Sequence, residues 1–236
     1  MSIGVSLSGT QTFLVTGATG GLGWQVVARL ADRPDTTVIL GGRRDATVEP
    51  ALARLATTKN STAVPFVVDL GDLRALDRAI DELPDVPLDG IVANAGVTLD
   101  QPAISAQGYE LTFAVNVLAH QLIFNRLLPR VVDGGRIVIV ASGVHDPENK
   151  LARRAGVPTP EWVDAGTAAD PKTAVEDTRG RYSNSKLANV LQAQSLQQRL
   201  RAEGRTIDVF ALDPGLMVDT DLARNYPPVL LSLIHI

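Results

Sequence analysis

The sequence has 236 residues and a mass of 25.1 kDa; 45% of the residues are hydrophobic and 20% charged, which suits one packed domain and excludes a largely disordered chain. Its formal net charge of −4 argues against a nucleic acid as the main partner, because such partners usually need a basic surface. The chain has no cysteine, which excludes disulfides, thiolate metal sites and cysteine nucleophiles, and its three scattered histidines predict no metal site.

The beginning of the chain carries no targeting signal that we can identify. Residues 1–9 have neither a basic start nor a long apolar core, so they do not resemble a signal peptide. No run of about 18 consecutive apolar residues occurs anywhere, and we therefore expect no membrane span and a cytoplasmic location.

Short apolar segments alternate with helix-length segments along the chain. The helices are marked by apolar residues at helical spacing and by end signals, since Asp72 is placed to cap one helix and Gly204 to end another. The predicted strands are 12–16, 37–40, 64–69, 88–93, 136–142 and 207–212, and the predicted helices are 21–32, 50–58, 72–83, 109–131 and 182–203.

The strands are apolar nearly throughout, which is expected where both faces of a sheet are covered. Strand–helix alternation of this kind specifies right-handed crossovers and a parallel sheet, so we predict one doubly wound α/β domain over residues 1–236. Segment 143–181 breaks the alternation, because it carries four prolines, many charges and no clear period. We interpret it as an insertion over the top of the sheet.

The first predicted strand runs into a glycine-rich turn, Thr16-Gly-Ala-Thr-Gly-Gly-Leu-Gly23, that opens the first helix. Glycines here let the pyrophosphate of a dinucleotide approach the backbone, next to the free N–H groups of the helix N-terminus. An ordinary strand–helix turn is the alternative, but the context on both sides favours a nucleotide site. Both Gly20 and Gly21 are present, so the second glycine of the pattern is left open. The candidate cofactor contacts in this turn are Gly17, Thr19, Gly20, Gly21, Leu22 and Gly23.

The end of the second predicted strand indicates which dinucleotide is bound. A free ribose 2′-hydroxyl is usually met by an acid about 20 residues after the glycine turn, and Leu40 is instead followed by two glycines, Arg43 and Arg44. A guanidinium can bind a 2′-phosphate with two charge-assisted hydrogen bonds, so we predict NADP (NADPH) rather than NAD, with both arginines as contacts. The alternative is that the two arginines merely solvate a turn.

Tyr182 and Lys186 form a second motif, Tyr182-Ser-Asn-Ser-Lys186, at the start of the last predicted helix. Their i, i+4 spacing puts both side chains on one helix face. A tyrosine has a pKa of about 10 in an unstructured peptide, and a fixed ammonium one turn away would lower that pKa toward the value that a general acid needs near neutrality. Taken alone, this spacing would favour a surface pair on a helix.

Further polar residues follow the predicted strands, at the carboxyl edge where α/β folds bind ligands. Ser142 ends the fifth strand, Asn94-Ala-Gly96 follows the fourth, and Asp213-Pro-Gly215 follows the sixth. Asn116 lies in an apolar helical segment, where a polar amide needs a partner. Together with the tyrosine and the lysine, these residues predict a reaction site at that edge.

With these motifs the sequence resembles the short-chain dehydrogenase/reductase family, in its compact single-domain branch, over residues 12 to about 222. The segment Ala-Asn-Ala-Gly favours this branch over the larger sugar-nucleotide epimerases. The resemblance implies a Rossmann fold with strand order 3-2-1-4-5-6 and a nicotinamide cofactor. The matching segments, in the family's order, are TGATGGLG at 16–23, ANAG at 93–96, Asn116, Ser142, YSNSK at 182–186 and PG at 214–215.

The resemblance also implies a role for each matching residue. Tyr182 would be the general acid or base at the substrate oxygen, and Lys186 would hold the ribose hydroxyls and lower the pKa of Tyr182. Ser142 would hydrogen-bond the carbonyl oxygen, and Asn116 would position a water in the proton path behind the lysine. The further cofactor contacts that it implies are Asp69, Leu70, Asn94, Ala95, Gly96, Tyr182, Lys186, Pro214, Gly215 and Thr220, although Asp69 could equally be a plain strand-end residue.

Several features resemble the NADP-dependent retinol-dehydrogenase-like and protochlorophyllide-reductase-like members: Arg43, the phrase at 182–189, and the long gap between Ser142 and Tyr182. True protochlorophyllide reductases resemble one another in carrying cysteines, and this chain has none. We therefore expect a small-molecule carbonyl or alcohol as substrate rather than a tetrapyrrole. The family often forms dimers or tetramers, which leaves a homodimer open.

After Thr220 the family normally continues with two helices and a seventh strand, whereas this chain ends at Ile236. We expect that strand to be missing from a truncated chain; the alternative is that 229–236 packs as a short last element. The predicted function is an NADP(H)-dependent oxidoreductase acting on a carbonyl or secondary alcohol. The alternatives are a catalytically silent dinucleotide-binding relative and a lyase or epimerase on a nucleotide sugar, which the Ala-Asn-Ala-Gly segment disfavours.

Overall fold

The computed structural model describes residues 11–56 and 61–215, which contain one six-stranded sheet. Its strands are β1 (Gln11–Val15), β2 (Thr36–Gly42), β3 (Ser61–Val67), β4 (Leu88–Ala93), β5 (Val131–Val140) and β6 (Asp208–Leu212). Neighbouring strands are all parallel, in the order β3-β2-β1-β4-β5-β6, which confirms the predicted doubly wound sheet and its strand order. The predictions for Thr220 and for segment 229–236 lie outside the described residues.

Helices lie between the strands and cover them. The predicted end signals are confirmed, because the carboxylate of Asp72 accepts two backbone N–H groups at 3.0 Å and Gly204 follows the last helix with a left-handed φ of +71°. The described helices are α1 (Gly21–Ala31), α2 (Asp45–Leu55), α3 (Leu73–Asp81), α4 (Leu111–Phe113), α5 (Ala119–Leu127), α6 (Lys150–Arg154), α7 (Ala165–Ala169) and α8 (Thr178–Ala202), with a π-helical turn (Ala114–Leu118) and 3-10 turns (Leu128–Arg130 and Gly143–His145).

The helices α4 and α5, the π-helical turn between them and the 3-10 turn that follows run on as one rod, Leu111–Arg130. By length and composition alone this rod could cross a membrane, with a mean hydropathy of 1.2. The rod does not meet the sequence criterion of about 18 consecutive apolar residues, because Asn116 and His120 interrupt the apolar run. Two thirds of the rod (67%) is buried inside the fold, as is usual for the core helix of a packed domain.

Successive strand residues point to opposite faces of the sheet, and both faces of the inner strands are covered, whereas Phe210 and Leu212 of the edge strand β6 are exposed. In β1, Leu14 packs into a layer with α3, α5 and α8, whereas Val15 packs into a layer with α1 and α2. This explains why the strands are apolar nearly throughout and leaves the edges of the sheet for ligands. The helices contribute Leu76, Ile80, Ile123, Leu127, Leu196 and Leu200 to the first layer and Val27, Ala31, Val48 and Leu55 to the second.

The predicted start of α2 was wrong. The helix begins at Asp45, and Pro50 lies inside it rather than in its first turn, where proline is most common. The acidic side chain of Asp45 favours this start, because it lies at the positive end of the helix dipole. The predicted end at residue 58 lies outside the described residues.

The predicted start of β5 was also wrong. The strand begins at Val131 rather than at 136, and its pairing with β4 shifts register between Leu88 and Gly90. The prediction missed this part because Gly134 and Gly135 interrupt the apolar run. The strand ends at Val140, so Ser142 follows β5 instead of ending it.

Segment 143–181 contains more regular structure than its sequence indicated. It holds a 3-10 turn, α6, α7 and the first turn of α8. Trp162 packs on Phe113 of α4, with the ring centroids 6.3 Å apart, in an apolar cluster that also includes residues of α7 and α8. The helix α8 begins at Thr178, earlier than predicted, because the carboxylate of Asp177 accepts a backbone N–H of its first turn at 2.8 Å. The segment therefore packs next to the start of the helix that carries Tyr182.

Candidate active site

The glycine turn between β1 and α1 requires glycine for two different reasons. Gly17 and Gly21 have φ angles of +62° and +52°, a left-handed conformation that residues with a side chain rarely adopt. Gly23 leaves no room for a Cβ atom, which would lie 2.2 Å from the carbonyl oxygen of Gly17. Gly20 is extended, with open space around it, at the N-cap of α1. Of the two spacings that the sequence left open, the structure favours Gly17, Gly21 and Gly23.

Asn94 fastens the glycine turn to the end of β4. Its Nδ2 donates to the carbonyl oxygens of Thr16 (2.9 Å) and Gly17 (3.1 Å). In the other direction, the hydroxyl oxygen of Thr16 accepts the backbone N–H groups of Asn94 and Ala95, both at 3.0 Å. The carboxyl ends of β1 and β4 are thereby held together with the turn between them.

A cavity of about 340 Å³ opens at the carboxyl edge of the sheet, where β1 to β4 end. Open α/β sheets bind ligands in this position, and the volume falls in the range of small-molecule pockets. Arg43 and Arg44 line it from the end of β2 and keep their side chains exposed to solvent. The predicted cofactor contacts that line this cavity are Gly17, Thr19, Arg43, Arg44, Asp69, Leu70, Ala95 and Gly96.

The other predicted cofactor contacts do not line this cavity. Residues 20–23 form the N-cap and the first turn of α1, and Asn94 is engaged with the backbone of the glycine turn. Pro214 and Gly215 follow β6, and Gly215 has a left-handed φ of +70°. Thr220 lies outside the described residues.

Lys186 is buried at the same edge of the sheet. Its side chain is 3% exposed, and its Nζ donates to the carbonyl oxygen of Val140, the last residue of β5, at 2.8 Å. Burial lowers the pKa of Lys186 to about 8, because a low dielectric disfavours the charged form. Tyr182 is half-buried, with its ring centroid 5.5 Å from that Nζ. Lys186 therefore contacts the end of β5 with the ring of Tyr182 nearby, and the two residues do not form an exposed surface pair.

Ser142 lies just beyond β5 and is half-buried. Its carbonyl oxygen is 2.6 Å from Nδ1 of His145, in the 3-10 turn that packs against α8. From the end of β6, Asp213 approaches Gly143 so closely that its Oδ2 would lie 2.8 Å from a Cβ atom there. The ends of β5 and β6 and the helix α8 thus meet around Ser142.

Asn116 lies in the π-helical turn and is 1% exposed. Its side-chain oxygen accepts the N–H of Val97 at 2.8 Å, and its Nδ2 donates to the carbonyl oxygen of Val97 and to Oγ of Ser185, both at 3.0 Å. Its backbone carbonyl oxygen accepts Nδ2 of Asn189 at 2.9 Å. The predicted partner of this buried amide is therefore the protein itself, on the loop after β4 and on α8.

The sequence analysis missed two buried polar residues at this site. His120 lies four residues after Asn116, and Asn189 lies three residues after Lys186; each is 1% exposed. Asn189 links the two motifs, because its Oδ1 lies 3.5 Å from Nζ of Lys186 while its Nδ2 binds Asn116. The sequence did carry a signal for both: each is a polar residue in an apolar helical segment, three or four residues after a candidate site residue, and so on the same helix face.

A buried ion pair holds the start of α8. Arg181, next to Tyr182 in the chain, lies 3.7 Å from the carboxylate of Glu110, and both side chains are buried. Glu110 in turn caps α4 by accepting the N–H groups of Thr112 (3.1 Å) and Phe113 (2.6 Å). The position of Tyr182 is therefore tied to the helix that leads into the π-helical turn.

The sequence matches the family model described as short chain dehydrogenase over residues 11–151, which is more than half of the chain. The chain belongs to the short-chain dehydrogenase family. This confirms the resemblance inferred from the motifs, and the matched segment includes the glycine turn, the end of β4, Asn116 and Ser142.

Individual proteins of similar sequence or structure support this family assignment. The chain is 32% identical to the WW domain-containing oxidoreductase of Drosophila melanogaster over 92% of its own length and 51% of that protein. It is 28% identical to protochlorophyllide reductase A of Arabidopsis thaliana over 93% of its own length and 58% of the relative. A crystal structure of an uncharacterized protein from Mycobacterium paratuberculosis, 30% identical, superposes with a TM-score of 0.70 over 93% of this chain and 75% of that one. The chain thus spans about half to three fifths of the length of these two curated relatives.

Proposed function

We propose that this short-chain dehydrogenase transfers a hydride between NADP(H) and the carbonyl or secondary-alcohol carbon of a small molecule. The observation that carries this proposal is the placement of Lys186 and Tyr182. A buried ammonium and a half-buried phenol meet at the end of β5, at the same edge of the parallel sheet as the glycine turn and its cavity. A protein that only bound a dinucleotide would need no proton-transferring group there.

The residues at the glycine turn fit a dinucleotide. A Cβ atom on Gly17 would lie 2.9 Å from Cα of Ala95, so the turn forms a cradle of bare backbone. The first turn of α1 has no side-chain cap and no acidic residue, which leaves its N–H groups available to an anion. Both features suit a pyrophosphate laid across the helix N-terminus.

The choice of NADP over NAD rests on charge at the end of β2. Arg43 and Arg44 line the cavity from this strand, and a guanidinium pairs well with a phosphate monoester. Asp69 also lines the cavity, but its carboxylate accepts the N–H of Gly71 at 2.8 Å. It lies after β3 and not after β2, where an acid would select the free 2′-hydroxyl.

When bound, the nicotinamide dinucleotide supplies the hydride for reduction or accepts it in oxidation. The phenol of Tyr182 donates its proton to the substrate oxygen as the carbonyl carbon gains the hydride, and takes it back in the reverse direction. The ammonium of Lys186 favours the phenolate that this transfer leaves behind. The hydroxyl of Ser142 donates a second hydrogen bond to the oxygen on which negative charge develops.

The test is NADPH consumption with a panel of aldehydes, ketones and quinones. We expect Tyr182→Phe to lower kcat by at least about 100-fold, in the range for loss of general acid catalysis, while the Kd for NADPH changes by less than about threefold. Tyr109→Phe is the matched control, because the side chain of Tyr109 is exposed, and it should behave as wild type. A wild-type protein that binds NADPH and reduces none of these compounds would favour the catalytically silent relative instead.

A further inference from the structure

His120, which takes no part in the proposed chemistry, is an almost completely enclosed titratable side chain near the site. It lies in the first turn of α5, is 1% exposed, and stacks on Phe124 with the ring centroids 6.5 Å apart. Its Nε2 is 3.0 Å from the hydroxyl oxygen of Thr16, and its Nδ1 is 3.1 Å from the backbone carbonyl oxygen of Asn116. The imidazole therefore bridges the glycine turn and the π-helical turn.

The hydrogen-bond partners assign the imidazole tautomer. The carbonyl oxygen of Asn116 can only accept, so Nδ1 of His120 must carry the proton. The Thr16 oxygen already accepts the N–H groups of Asn94 and Ala95, so it can only donate its own hydrogen, and Nε2 of His120 at 3.0 Å is a nearer acceptor than the carbonyl oxygen of Val92 at 3.5 Å. With the proton of the imidazole on Nδ1, the two ring nitrogens, the Thr16 hydroxyl and the Asn116 carbonyl oxygen all have hydrogen-bond partners.

The surroundings keep this imidazole neutral. Burial is the largest effect and lowers the pKa of His120 to about 4; the bond to Asn116 opposes it, and the positive charge of Lys186, the smallest of the three effects, lowers the pKa further. A second proton on Nε2 would also place two donors face to face, since Thr16 donates there. The bridge is therefore present across the range in which the enzyme would work.

The network does not stop at Asn116. The same carbonyl oxygen accepts Nδ2 of Asn189, whose Oδ1 is 3.5 Å from Nζ of Lys186. Polar contacts thus run without a break from Thr16 through His120, Asn116 and Asn189 to the lysine, and all five side chains are at most 3% exposed. A π-helical turn makes such a link possible, because its altered backbone pattern presents a carbonyl group to side chains.

We propose that His120 is a positioning residue that couples the glycine turn to the π-helical turn and to α8, the helix that carries Lys186. It does so by fixing Thr16 at one end and the backbone carbonyl of Asn116 at the other. The inference rests on the proposed function, since it assigns the turn to the cofactor and Lys186 to the reaction. Its consequence is reciprocal: a ligand at the glycine turn steadies the π-helical turn and the lysine behind it, and loss of the bridge uncouples the two.

The kinetic test compares His120→Leu, which removes both hydrogen bonds, with His120→Gln, whose amide can donate and accept. We expect His120→Leu to raise the Kd for NADPH about fivefold or more and to lower kcat about tenfold or more, and His120→Gln to recover part of both. Ile123→Val is the matched control, because Ile123 is fully buried on the same helix and takes no part in the network. It should destabilise the protein without changing either constant.

A second measurement distinguishes coupling from a general loss of stability. In wild type, saturating NADPH should slow hydrogen exchange at the backbone amides of 114–118; in His120→Leu, saturated with NADPH, that slowing should be absent. Without any cofactor, the amides of Asn94 and Ala95 should exchange faster in His120→Leu than in Ile123→Val. Nitrogen-15 NMR of the wild-type imidazole should show the Nδ1-protonated tautomer from pH 8 down to pH 5.

The outcomes separate this inference from the proposed function. If wild type neither binds NADPH nor reduces any carbonyl compound, the proposed function fails, and the tautomer and the cofactor-free exchange still decide whether His120 forms the bridge. If His120→Leu does not fold, His120→Gln and the NMR spectrum take its place. An Nε2-protonated imidazole, or a folded His120→Leu with wild-type Kd, kcat and exchange, overturns the inference.

Discussion

The charge of a single buried residue, Lys186, makes the stability of the whole chain depend on pH. Its pKa is lowered to about 8 in the folded protein from 10.5, because the side chain is removed from water. Between these values the folded state binds fewer protons than the unfolded state, so the free energy of unfolding rises with pH in this window. Below pH 8 the burial of the charge costs its full amount.

We therefore expect wild type to gain about 3 kcal/mol of unfolding free energy relative to Lys186→Met between pH 7.5 and 10.5. Urea unfolding at several pH values measures the difference, with both proteins also carrying Tyr182→Phe because the charge of Lys186 acts on that phenol. Titrations elsewhere in the chain then cancel. A difference that stays constant across this window would mean that Lys186 is not desolvated as the structure shows.

The two arginines after β2 give a second prediction for single residues. Arg43→Ala should raise the Kd for NADPH about 10-fold or more, the effect of losing hydrogen bonds to a charged group, and should change the Kd for NADH less than about twofold. Fluorescence titration of both cofactors measures the ratio. Arg201→Ala, at the exposed end of α8, is the control and should alter neither value. If the Kd values for NADPH and NADH rise equally, Arg43 does not bind the 2′-phosphate.

The sequence predicted the tyrosine, the lysine and the glycine turn because each has a local pattern. It did not predict His120 or Asn189, whose roles depend on partners far away in the chain: His120 meets Thr16, and Asn189 meets Asn116. A polar residue in an apolar helix indicates that a partner exists, but only the packing of α5 and α8 against β1 and β5 identifies it.

At the scale of elements, the turn from β1 into α1 depends on the absence of side chains. Gly23→Ala would place a Cβ atom 2.2 Å from the carbonyl oxygen of Gly17, so α1 must move away from the turn. We expect a loss of about 2 kcal/mol or more in the free energy of unfolding, as for other overpacked sites, together with a large loss of NADPH affinity.

Gly20→Ala is the matched control for that prediction, because Gly20 is extended and has open space around it. It should cost no more than about 1 kcal/mol of unfolding free energy, the loss expected where alanine replaces a better N-cap residue, and so less than Gly23→Ala. Urea unfolding and NADPH titration of both variants provide the comparison. If the two alanine variants lose equal stability, the close approach of Gly23 to Gly17 is not what shapes the turn.

Element boundaries were predicted less well than element types, and the reasons lie in particular residues. Pro50 was taken as the start of a helix that in fact begins at Asp45, and Gly134 and Gly135 hid the first half of β5. In both places long-range packing prevails over the local preference of proline or glycine. The strands were easier to predict, because a strand that is buried on both faces is a continuous run of apolar residues.

At the scale of the whole molecule, the cofactor and the fold should stabilise each other. A ligand that binds only the folded state adds about 2.7 kcal/mol to the free energy of unfolding at 100 times its Kd. We expect NADPH to raise the melting temperature more than NADH at equal concentration, since we propose that the arginines at the cavity bind the 2′-phosphate that only NADPH carries. A scanning-fluorimetry titration checks this, and an equal rise with both cofactors would argue against NADP preference.

The whole-molecule topology was predicted from the sequence, whereas the course of segment 143–181 was not. The parallel sheet was predicted from alternation that is visible along the chain, the strand order was implied by the family resemblance, and the structure confirms both. Segment 143–181 carries no pattern that fixes its course, and its packing through Trp162 onto Phe113 is a long-range contact. The curated relatives extend well beyond the length that this chain spans, so their activities describe larger proteins.

The central claim is that hydride passes directly between the nicotinamide and the substrate carbon while Tyr182 supplies the proton. The most direct measurement uses NADPH prepared with deuterium at both C4 positions, a carbonyl compound that wild type reduces, and mass spectrometry of the product. The account predicts one deuterium on the carbinol carbon of the wild-type product and a rate at least about 100-fold lower for Tyr182→Phe. Product alcohol without deuterium, or Tyr182→Phe reducing the compound at the wild-type rate, would contradict it.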